Sequence, residues 1–212
     1  MPSTSVSRFA VPPDWIEWQL HRRGIRDERV LAAMARVPRE AFVPAEARRH
    51  AYADAALSLS HGQTISQPYI VALICQALEL EGGEHVLDVG TGSGYQAAVL
   101  AELAGDVVSV ERIPELAAQA RRNLEAAGYD VDVRVGDGSL GCPDRAPYDA
   151  IAVAASAADV PQPLYDQLVT GGRLVLPIDE SLVAVTRTTS GRRTRFLSPA
   201  RFVPLVSGSP DQ

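Results

Sequence analysis

The sequence predicts an α/β protein built on a doubly wound, mostly parallel sheet, with a helical segment before the sheet and antiparallel strands after it. Short apolar runs alternate with helical stretches from His85 to Ile178, and this alternation is typical of βαβ units. A turn with three alternate glycines, Gly90 to Gly94, joins the first apolar run to an apolar helix. After Ile178 the pattern is that of strands alone, which indicates the antiparallel extension.

The segment before the sheet has the pattern of helices. Asp14 followed by Glu17 has the spacing of a capping box, and Gly24 suits the end of that first helix. Asp27 is placed to cap a second helix, which must end before Pro38 because proline cannot continue it. We therefore expect a helical cap beside the sheet.

The remaining elements follow from the same signals. Proline at the first position and Gly128 just after the last mark a helix over Pro114–Ala127. The other predicted helices are Pro68–Leu80, Gln96–Ala104 and Pro163–Leu168, and residues 44–63 have no regular pattern. The predicted strands are His85–Val89, Val107–Val110, Val131–Val135, Tyr148–Ala154, Arg173–Ile178, Leu182–Arg187, Arg193–Leu197 and Phe202–Leu205, with a turn at Ser190–Gly191. We expect one domain: a helical cap and substrate segment over 1–80, an α/β core over 81–178, and C-terminal strands over 179–212.

The composition excludes several kinds of chemistry. All 20 basic residues are arginine, so a Schiff-base lysine, a lysine general base and a phosphate-loop lysine are all absent. The formal net charge of −6 argues against a general nucleic-acid-binding protein, which needs a basic face. The two cysteines and four histidines lack the spacing of a metal site, so no metal is expected.

Membrane insertion and secretion are not expected either. No run approaches the about 18 apolar residues that a transmembrane helix needs. Met1–Ala10 lacks the apolar stretch of a secretory signal, and Cys75 and Cys142 alone do not indicate a disulfide framework. The sequence therefore predicts a cytoplasmic protein.

Two acids flank the glycine-rich turn and bear on its ligand. Asp88 stands just ahead of Gly90, and Glu111 closes the next strand, where an acid can bind the hydroxyls of a ribose. A dinucleotide usually has the spacing G-x-G-x-x-G, because its pyrophosphate needs the helix N-terminus, whereas this turn reads G-x-G-x-G. The carboxylate of Asp88 would repel a pyrophosphate but suits the ammonium of S-adenosylmethionine. The sequence therefore favours the methyl donor over NAD.

A further candidate contact follows the third strand of the core. Gly136-Asp137-Gly138 stands where a side chain can reach an adenine ring. An aspartate between glycines is also a common turn residue, so Asp137 supports the cofactor site only in combination with the other motifs.

Four motifs carry a resemblance to a known family. They are Gly62–Tyr69 (GQTISQPY), Asp88–Ala98 (DVGTGSGYQAA), Val110–Ile113 (VERI) and Gly136–Gly138 (GDG), with weaker matches at Val37–Arg39, Phe42–Pro44 and Arg201–Leu205. Through them the chain resembles the protein-L-isoaspartate O-methyltransferase family over nearly its full length, and the first motif is the most specific.

The resemblance implies a class I, Rossmann-like methyltransferase fold and methyl transfer from S-adenosylmethionine to the free α-carboxyl of isoaspartyl residues. The family's active-site serine matches Ser66. The predicted cofactor-binding residues are Gln63, Thr64, Ile65, Ser66, Val71, Asp88, Gly90, Gly92, Ser93, Glu111, Arg112, Asp137 and Gly138. Asp54 lies in the segment that the family uses near its substrate. The expected partners are damaged proteins or peptides, not nucleic acid or membrane, and we expect a monomer.

The residue chemistry is consistent with this reaction. A carboxylate, with a pKa near ~4, is already ionised at neutral pH and needs no base. The task that remains is the alignment of oxygen, methyl carbon and sulfur. The hydroxyl of Ser66 can hold the acceptor carboxylate by a hydrogen bond, although a serine just ahead of Pro68 can also serve as a helix cap.

The chain departs from the family pattern mainly on the substrate side. The proline usual after the fourth strand is missing around Ala158, Asp179 replaces a glycine, and the loop that follows is short. These departures leave open a relative that methylates a dedicated peptide acceptor during peptide maturation. An NAD-binding oxidoreductase and a non-catalytic binding module are the alternatives from other classes.

Overall fold

The structure, a computed structural model, describes residues 14–208; the expectation for Met1–Ala10 lies outside that range. The helices are α1 (Trp15–Gln19), α2 (Glu28–Arg36), α3 (Pro68–Leu78), α4 (Tyr95–Ala101), α5 (Pro114–Ala127) and α6 (Gln162–Asp166). The strands are β1 (Leu57–Ser58), β2 (Thr64–Ile65), β3 (His85–Val89), β4 (Asp106–Glu111), β5 (Asp132–Val135), β6 (Tyr148–Val153), β7 (Leu168–Ile178), β8 (Ser181–Thr188) and β9 (Gly191–Pro199). Within the described residues, no helix is both long and apolar enough to cross a membrane.

The main sheet has seven strands in the order β5-β4-β3-β6-β7-β8-β9. The strands from β5 to β7 are parallel, and β8 and β9 continue the sheet antiparallel. The chain winds from β3 outward to β5 and then returns to β6 on the other side of β3. The winding reverses between β3 and β6, and in open α/β sheets ligands bind outside the carboxyl ends of the strands at that point. The predicted fold class, with its antiparallel extension, is confirmed.

Strand β3 is covered by apolar layers on both faces of the sheet. Val86 belongs to the larger core cluster, which also contains residues of α2, α3 and α4. Leu87 and Val89 belong to the cluster on the opposite face, together with Leu164 of α6. Successive side chains of a strand point to opposite faces, so an apolar run is what a strand buried on both sides requires. The carboxyl end of β3 is thereby fixed by packing on both sides.

Local signals predicted two helices well. Asp27 caps α2, because its carboxylate accepts hydrogen bonds from the backbone nitrogens of Arg29 and Val30, and α2 ends at Arg36. The bounds of α5 are those predicted, and Gly128 ends it with φ 83°. That left-handed conformation favours glycine.

The prediction of a capping box at the start of α1 was wrong. Asp14 has φ 67°, and its side chain makes no capping hydrogen bond with the described residues. Glu17 instead accepts hydrogen bonds from His21 and Arg22, 2.8 and 3.0 Å away. The helix is only five residues long, so Glu17 meets these basic side chains of the following turn rather than the helix start.

The predicted strand Phe202–Leu205 was also wrong. This stretch belongs to a C-terminal segment, residues 200–206, that crosses the loop after β6 with one isolated bridge. Ser156 donates its backbone N–H to the Val203 carbonyl at 2.8 Å and accepts from the Leu205 N–H at 2.7 Å. Pro204 has no N–H to give to a ladder, so the segment cannot continue as a paired strand. It lies instead over the carboxyl edge of the sheet.

Candidate active site

The glycine-rich turn lies at the carboxyl end of β3, at the reversal point of the sheet. Gly90 has φ 92° and Gly92 has φ 55°, in the region that glycine adopts without a steric cost. The N–H of Gly90 donates to the carbonyl of Val110 in the neighbouring strand at 2.9 Å. The turn is therefore fixed to the sheet below, while its glycines present bare backbone on the other side.

A cleft of about 690 Å³, including space open to solvent, lies against this turn. Its walls come from the turn, the end of β4 and the C-terminal segment. The lining residues are Gln63, Thr64, Val89, Gly90, Gly92, Val110, Glu111, Arg112, Ile113, Gly138, Ala154, Ala155, Val203, Pro204, Leu205 and Val206. Seven predicted cofactor-binding residues are among them. Val203–Leu205 had only a weak sequence match and Val206 had none, and no role in the site was predicted for these residues.

Glu111 joins the turn to the end of β4. Its Oε2 accepts a hydrogen bond from the backbone nitrogen of Gly92 at 2.8 Å, and its Oε1 accepts from that of Ile113 at 3.0 Å. Each carboxylate oxygen has a second lone pair available. The structure therefore places in the cleft a fixed acceptor of the kind that binds ribose hydroxyls.

Asp88 lies beneath the turn and not in the cleft. It is fully buried, and its two oxygens accept hydrogen bonds from Gln96 Nε2 at 2.8 Å and Ser109 Oγ at 2.7 Å. Burial raises the pKa of Asp88 to about 6, although the hydrogen bonds from Gln96 and Ser109 oppose the rise. The expectation that this carboxylate faces the ligand directly was wrong, because β3 directs the side chain into the core.

Asp137 and Gly138 follow β5, and only Gly138 lines the cleft. The Asp137 carboxylate accepts hydrogen bonds from Ser139 and, at 2.6 Å, from the backbone nitrogen of Gly208. Although burial opposes it, these hydrogen bonds and the charge of Arg112 hold the pKa of Asp137 below its usual range. Gly138 cannot carry a side chain, since a Cβ would lie 2.6 Å from Val89. Asp137 thus holds the backbone of Gly208 beside the cleft.

A small inner cavity continues the cleft beneath the turn. It is lined by Thr64, Ile65, Ser66, Val71, Gly90, Thr91, Gly92, Ser93, Tyr95, Gln96 and Ala154. Thr64, Gly90, Gly92 and Ala154 line the cleft as well, so the two spaces adjoin. The remaining predicted cofactor contacts, Ile65, Ser66, Val71 and Ser93, are therefore brought together here.

Ser66 also faces a second cleft on the outer side. That cleft is lined by Ala56, Thr64, Ser66, Gln67, Ile70, Pro199, Ala200, Arg201, Phe202 and Val203. The N-cap of α3 is Gln67, and no side chain among the described residues caps that helix, so capping does not account for Ser66. Ser66 is thus a wall common to the inner cavity and the outer cleft.

Asp54 does not line the outer cleft. Its carboxylate accepts hydrogen bonds from Arg23 Nη1, 2.9 Å away, and from Gln67 Nε2, 2.7 Å away. These contacts satisfy the carboxylate on the protein surface. Asp54 therefore positions Gln67, and the structure gives no support to its predicted contact with substrate.

Arg39 is a residue of the site that sequence reasoning did not single out. It is fully buried, and it donates from Nε to the Ala51 carbonyl at 2.7 Å and from Nη2 to the Ser66 carbonyl at 2.8 Å. Its guanidinium lies 4.7 Å from the ring centre of Tyr95. The only sequence signal was the weak match of Val37–Arg39, which assigns no role.

The departures from the family pattern lie behind the C-terminal segment. Asp179 has φ 51°, a conformation in which glycine is favoured and aspartate is tolerated. Its carbonyl accepts a hydrogen bond from Ser156 Oγ at 2.9 Å, and Ser156 holds the segment through Val203 and Leu205. The replacement of glycine is therefore accommodated next to the outer cleft.

The comparisons with known proteins agree with this geometry. The profile of the protein-L-isoaspartate(D-aspartate) O-methyltransferase family matches residues 14–210. Protein-L-isoaspartate O-methyltransferase 2 of Anaeromyxobacter sp. (strain Fw109-5) is 53% identical over 199 residues, covering 91% of this chain and 82% of that protein.

Two solved structures have the same fold and lie in the same family by name. One protein-L-isoaspartate O-methyltransferase has a TM-score of 0.80 and 30% identity over 91% of this chain, which spans 65% of that protein, just under two thirds of its length. A Plasmodium falciparum beta-aspartate methyltransferase in complex with S-adenosyl-L-homocysteine has a TM-score of 0.79 and 27% identity, covering 92% of this chain and 98% of the other. The chain belongs to the protein-L-isoaspartate(D-aspartate) O-methyltransferase family.

Proposed function

We propose that this protein transfers the methyl group of S-adenosylmethionine to the free α-carboxyl of L-isoaspartyl residues in damaged proteins and peptides, which begins their repair. The observation that carries the proposal is the position of Ser66. It is a wall of the inner cavity, which continues the glycine-lined cleft, and of the outer cleft, which opens to solvent. A donor in one space and an acceptor in the other therefore meet at its side chain.

The residues of the glycine-lined cleft fit S-adenosylmethionine. Gly90, Gly92 and Gly138 let a ligand approach the backbone closely, and Glu111 offers carboxylate oxygens to a ribose. The turn reads G-x-G-x-G, not the G-x-G-x-x-G that is usual for a dinucleotide, which argues against the dinucleotide alternative. When bound, S-adenosylmethionine supplies an electrophilic methyl group on a sulfonium. The other residues proposed to bind S-adenosylmethionine are Gln63 to Ser66, Val71, Ser93 and Arg112.

The chain's own residues need only bind and orient the acceptor. In the outer cleft Ser66 Oγ donates a hydrogen bond to one oxygen of the isoaspartyl carboxylate. Arg201 lines the same cleft, and its guanidinium is ion-paired with Glu180 at 2.9 Å. The other carboxylate oxygen forms a bond to the methyl carbon while the carbon–sulfur bond breaks. The negative charge of the carboxylate and the positive charge of the sulfonium cancel, so no proton is transferred. Holding the atoms in line is worth several orders of magnitude in rate.

The product explains the repair step. The methyl ester is attacked by the following backbone amide nitrogen, methanol leaves, and a succinimide forms. Hydrolysis of the succinimide partly restores normal aspartate. We propose a monomer that acts in the cytoplasm on such proteins and peptides, with neither nucleic acid nor membrane as a partner.

The decisive experiment is methyl transfer from S-adenosylmethionine to an isoaspartyl peptide, set against the aspartyl peptide of the same sequence. We expect a methyl ester on the first peptide alone. The departures around Asp179 make a dedicated peptide acceptor the alternative. Intact binding of S-adenosylhomocysteine without any esterification of the isoaspartyl peptide would overturn the repair function.

A further inference from the structure

Gln96 carries a buried polar atom that the described part of the chain leaves unsatisfied. The residue is 7% exposed, and its Oε1 has no hydrogen-bond partner within residues 14–208. A buried carbonyl oxygen without a partner costs free energy, so such atoms normally face a water or a ligand. Gln96 lies at the start of α4 and lines the inner cavity.

Asp88 fixes the orientation of this amide. Gln96 Nε2 donates to Asp88 Oδ1 at 2.8 Å, and an ionised carboxylate only accepts hydrogen bonds. The second oxygen of Asp88 is already occupied by Ser109 Oγ at 2.7 Å, and that hydroxyl lies 2.6 Å from Thr91 Oγ1. The amide therefore cannot exchange its oxygen and nitrogen without placing the Gln96 oxygen against Asp88. Its acceptor atom is directed away from the carboxylate.

The position of the cavity indicates which part of the cofactor meets this oxygen. Glu111 lines the main cleft, where the ribose is expected, and Ser66 lines the inner cavity, where the reacting methyl group must be. The amino-acid end of the cofactor lies beyond the sulfur, on the Ser66 side. That end carries one ammonium and one carboxylate. Only the ammonium has protons to give to an acceptor oxygen.

We infer that the side-chain carbonyl of Gln96 binds the ammonium group of S-adenosylmethionine, and that Asp88 is a positioning residue that acts through the Gln96 amide. The inference rests on the proposed function, because it assumes that cofactor. Asp88 is too deeply placed to line the cavity, yet its charge polarises the amide so that Oε1 becomes a stronger acceptor. The chain thus selects a cationic group without exposing an acid to the cleft.

The test compares two ligands and three proteins. Binding of S-adenosylhomocysteine and of its deaminated analogue, in which hydrogen replaces the amino group, is measured by calorimetry for the wild type, Gln96→Met and Gln167→Met. Gln167 is a buried glutamine of similar exposure that bonds to Cys142 and Leu140 outside these cavities. Loss of a hydrogen bond to a charged group predicts about 10- to 100-fold weaker binding of S-adenosylhomocysteine by Gln96→Met. The deaminated analogue should bind to Gln96→Met and the wild type equally, and Gln167→Met should bind both ligands as the wild type does.

The outcomes separate the inference from the function on which it rests. Equal weakening of both ligands by Gln96→Met, or no weakening of either, would overturn the inference and indicate that Oε1 meets only an ordered water. A wild type that binds neither ligand would overturn the proposed function together with the inference. If Gln96→Met does not fold, the side-chain amide ¹⁵N resonance of Gln96 in the wild type gives a second measurement. We expect it to shift with S-adenosylhomocysteine and not with the analogue, and an equal shift with both would refute the contact.

Discussion

The guanidinium of Arg39 donates a hydrogen bond from Nη2 to the backbone carbonyl of Ser66 at 2.8 Å, and from Nε to that of Ala51 at 2.7 Å. One buried side chain therefore joins the two ends of the segment that contains the β1–β2 hairpin. Ser66 stands at one of these ends. Its position between the inner cavity and the outer cleft depends on a residue in the helical cap, not on the sheet.

Replacing Arg39 should impair turnover more than cofactor binding. Arg39→Met removes both carbonyl contacts, and each hydrogen bond from a charged donor contributes about 1.5 to 3 kcal/mol. Removal of a buried cation offsets part of that loss, so we expect an unfolding free energy about 2 kcal/mol lower and kcat at least about tenfold lower. Urea denaturation and steady-state kinetics measure the two effects.

Arg29→Met is the matched control. Arg29 also bonds to two backbone carbonyls, those of Leu80 and Leu103, and none of the clefts described above includes it. It should lower stability while leaving kcat unchanged. Equal losses of kcat in the two variants would show that Arg39 acts only through global stability.

Ser66→Ala should separate acceptor binding from cofactor binding. The variant loses the hydroxyl that holds the acceptor carboxylate, and a hydrogen bond to a charged group contributes about 1.5 to 3 kcal/mol, or roughly 10- to 100-fold in kcat/KM. The loss in kcat/KM should exceed the loss of affinity for S-adenosylhomocysteine, because Ser66 is only one of several residues proposed to contact the cofactor. Ser58→Ala, in the hairpin that precedes Ser66, is the control and should have wild-type kinetics. Wild-type kcat/KM in Ser66→Ala would exclude the proposed contact.

Glu111→Gln should weaken cofactor binding. The substitution keeps the length of the side chain but removes its charge and leaves one oxygen to serve Gly92, Ile113 and the ribose. We expect about tenfold weaker binding of S-adenosylhomocysteine, equivalent to about 1.4 kcal/mol. Calorimetry measures this, with Glu115→Gln in the first turn of α5 as the control. Unchanged affinity in Glu111→Gln would mean that Glu111 only ties the turn to β4.

The parts of the site that depend on neighbouring sequence were predictable, and the parts that depend on distant contacts were not. The turn Gly90–Gly94 and Glu111 follow from residue type and spacing, because a strand end and a sharp turn are local properties. Arg39 meets a carbonyl 27 residues away, and nothing in its neighbourhood indicates that partner. Gln96 is near Asp88 in the sequence, but the contact between their side chains appears only when α4 packs beside β3.

The helices and strands likewise divide into those that neighbouring sequence predicts and those that depend on distant contacts. Proline and glycine at its ends defined α5, since both residues act through their own backbone. Phe202–Leu205 has a strand-like composition, but a strand needs a partner with free N–H and C=O groups. Because Pro204 has no N–H and its partner is the loop at Ser156, Phe202–Leu205 forms only one isolated bridge. Asp88 was predicted to face the ligand because spacing places it before the turn, and spacing does not reveal which way a residue of β3 points.

Asp88→Asn should alter the pH dependence of stability as well as cofactor binding. The folded protein holds the Asp88 proton with a pKa of about 6, against 3.8 for an unperturbed group, so the native state binds more protons than the unfolded state between these values. Stability of the wild type therefore falls as pH rises through this window, by about 3 kcal/mol at 1.36 kcal/mol per pKa unit. Asn removes the titration and leaves only an offset that does not depend on pH. Urea denaturation without ligand measures the unfolding free energy of both proteins. The value for the Asn variant minus that for the wild type should increase between pH 4 and pH 7. Separately, S-adenosylhomocysteine should bind more weakly to the Asn variant. Asp130→Asn is the control, because Asp130 is exposed and the substitution changes the net charge equally. Its difference in unfolding free energy from the wild type should not increase between pH 4 and pH 7. A parallel pH dependence in Asp88→Asn and the wild type would show that Asp88 does not carry the raised pKa.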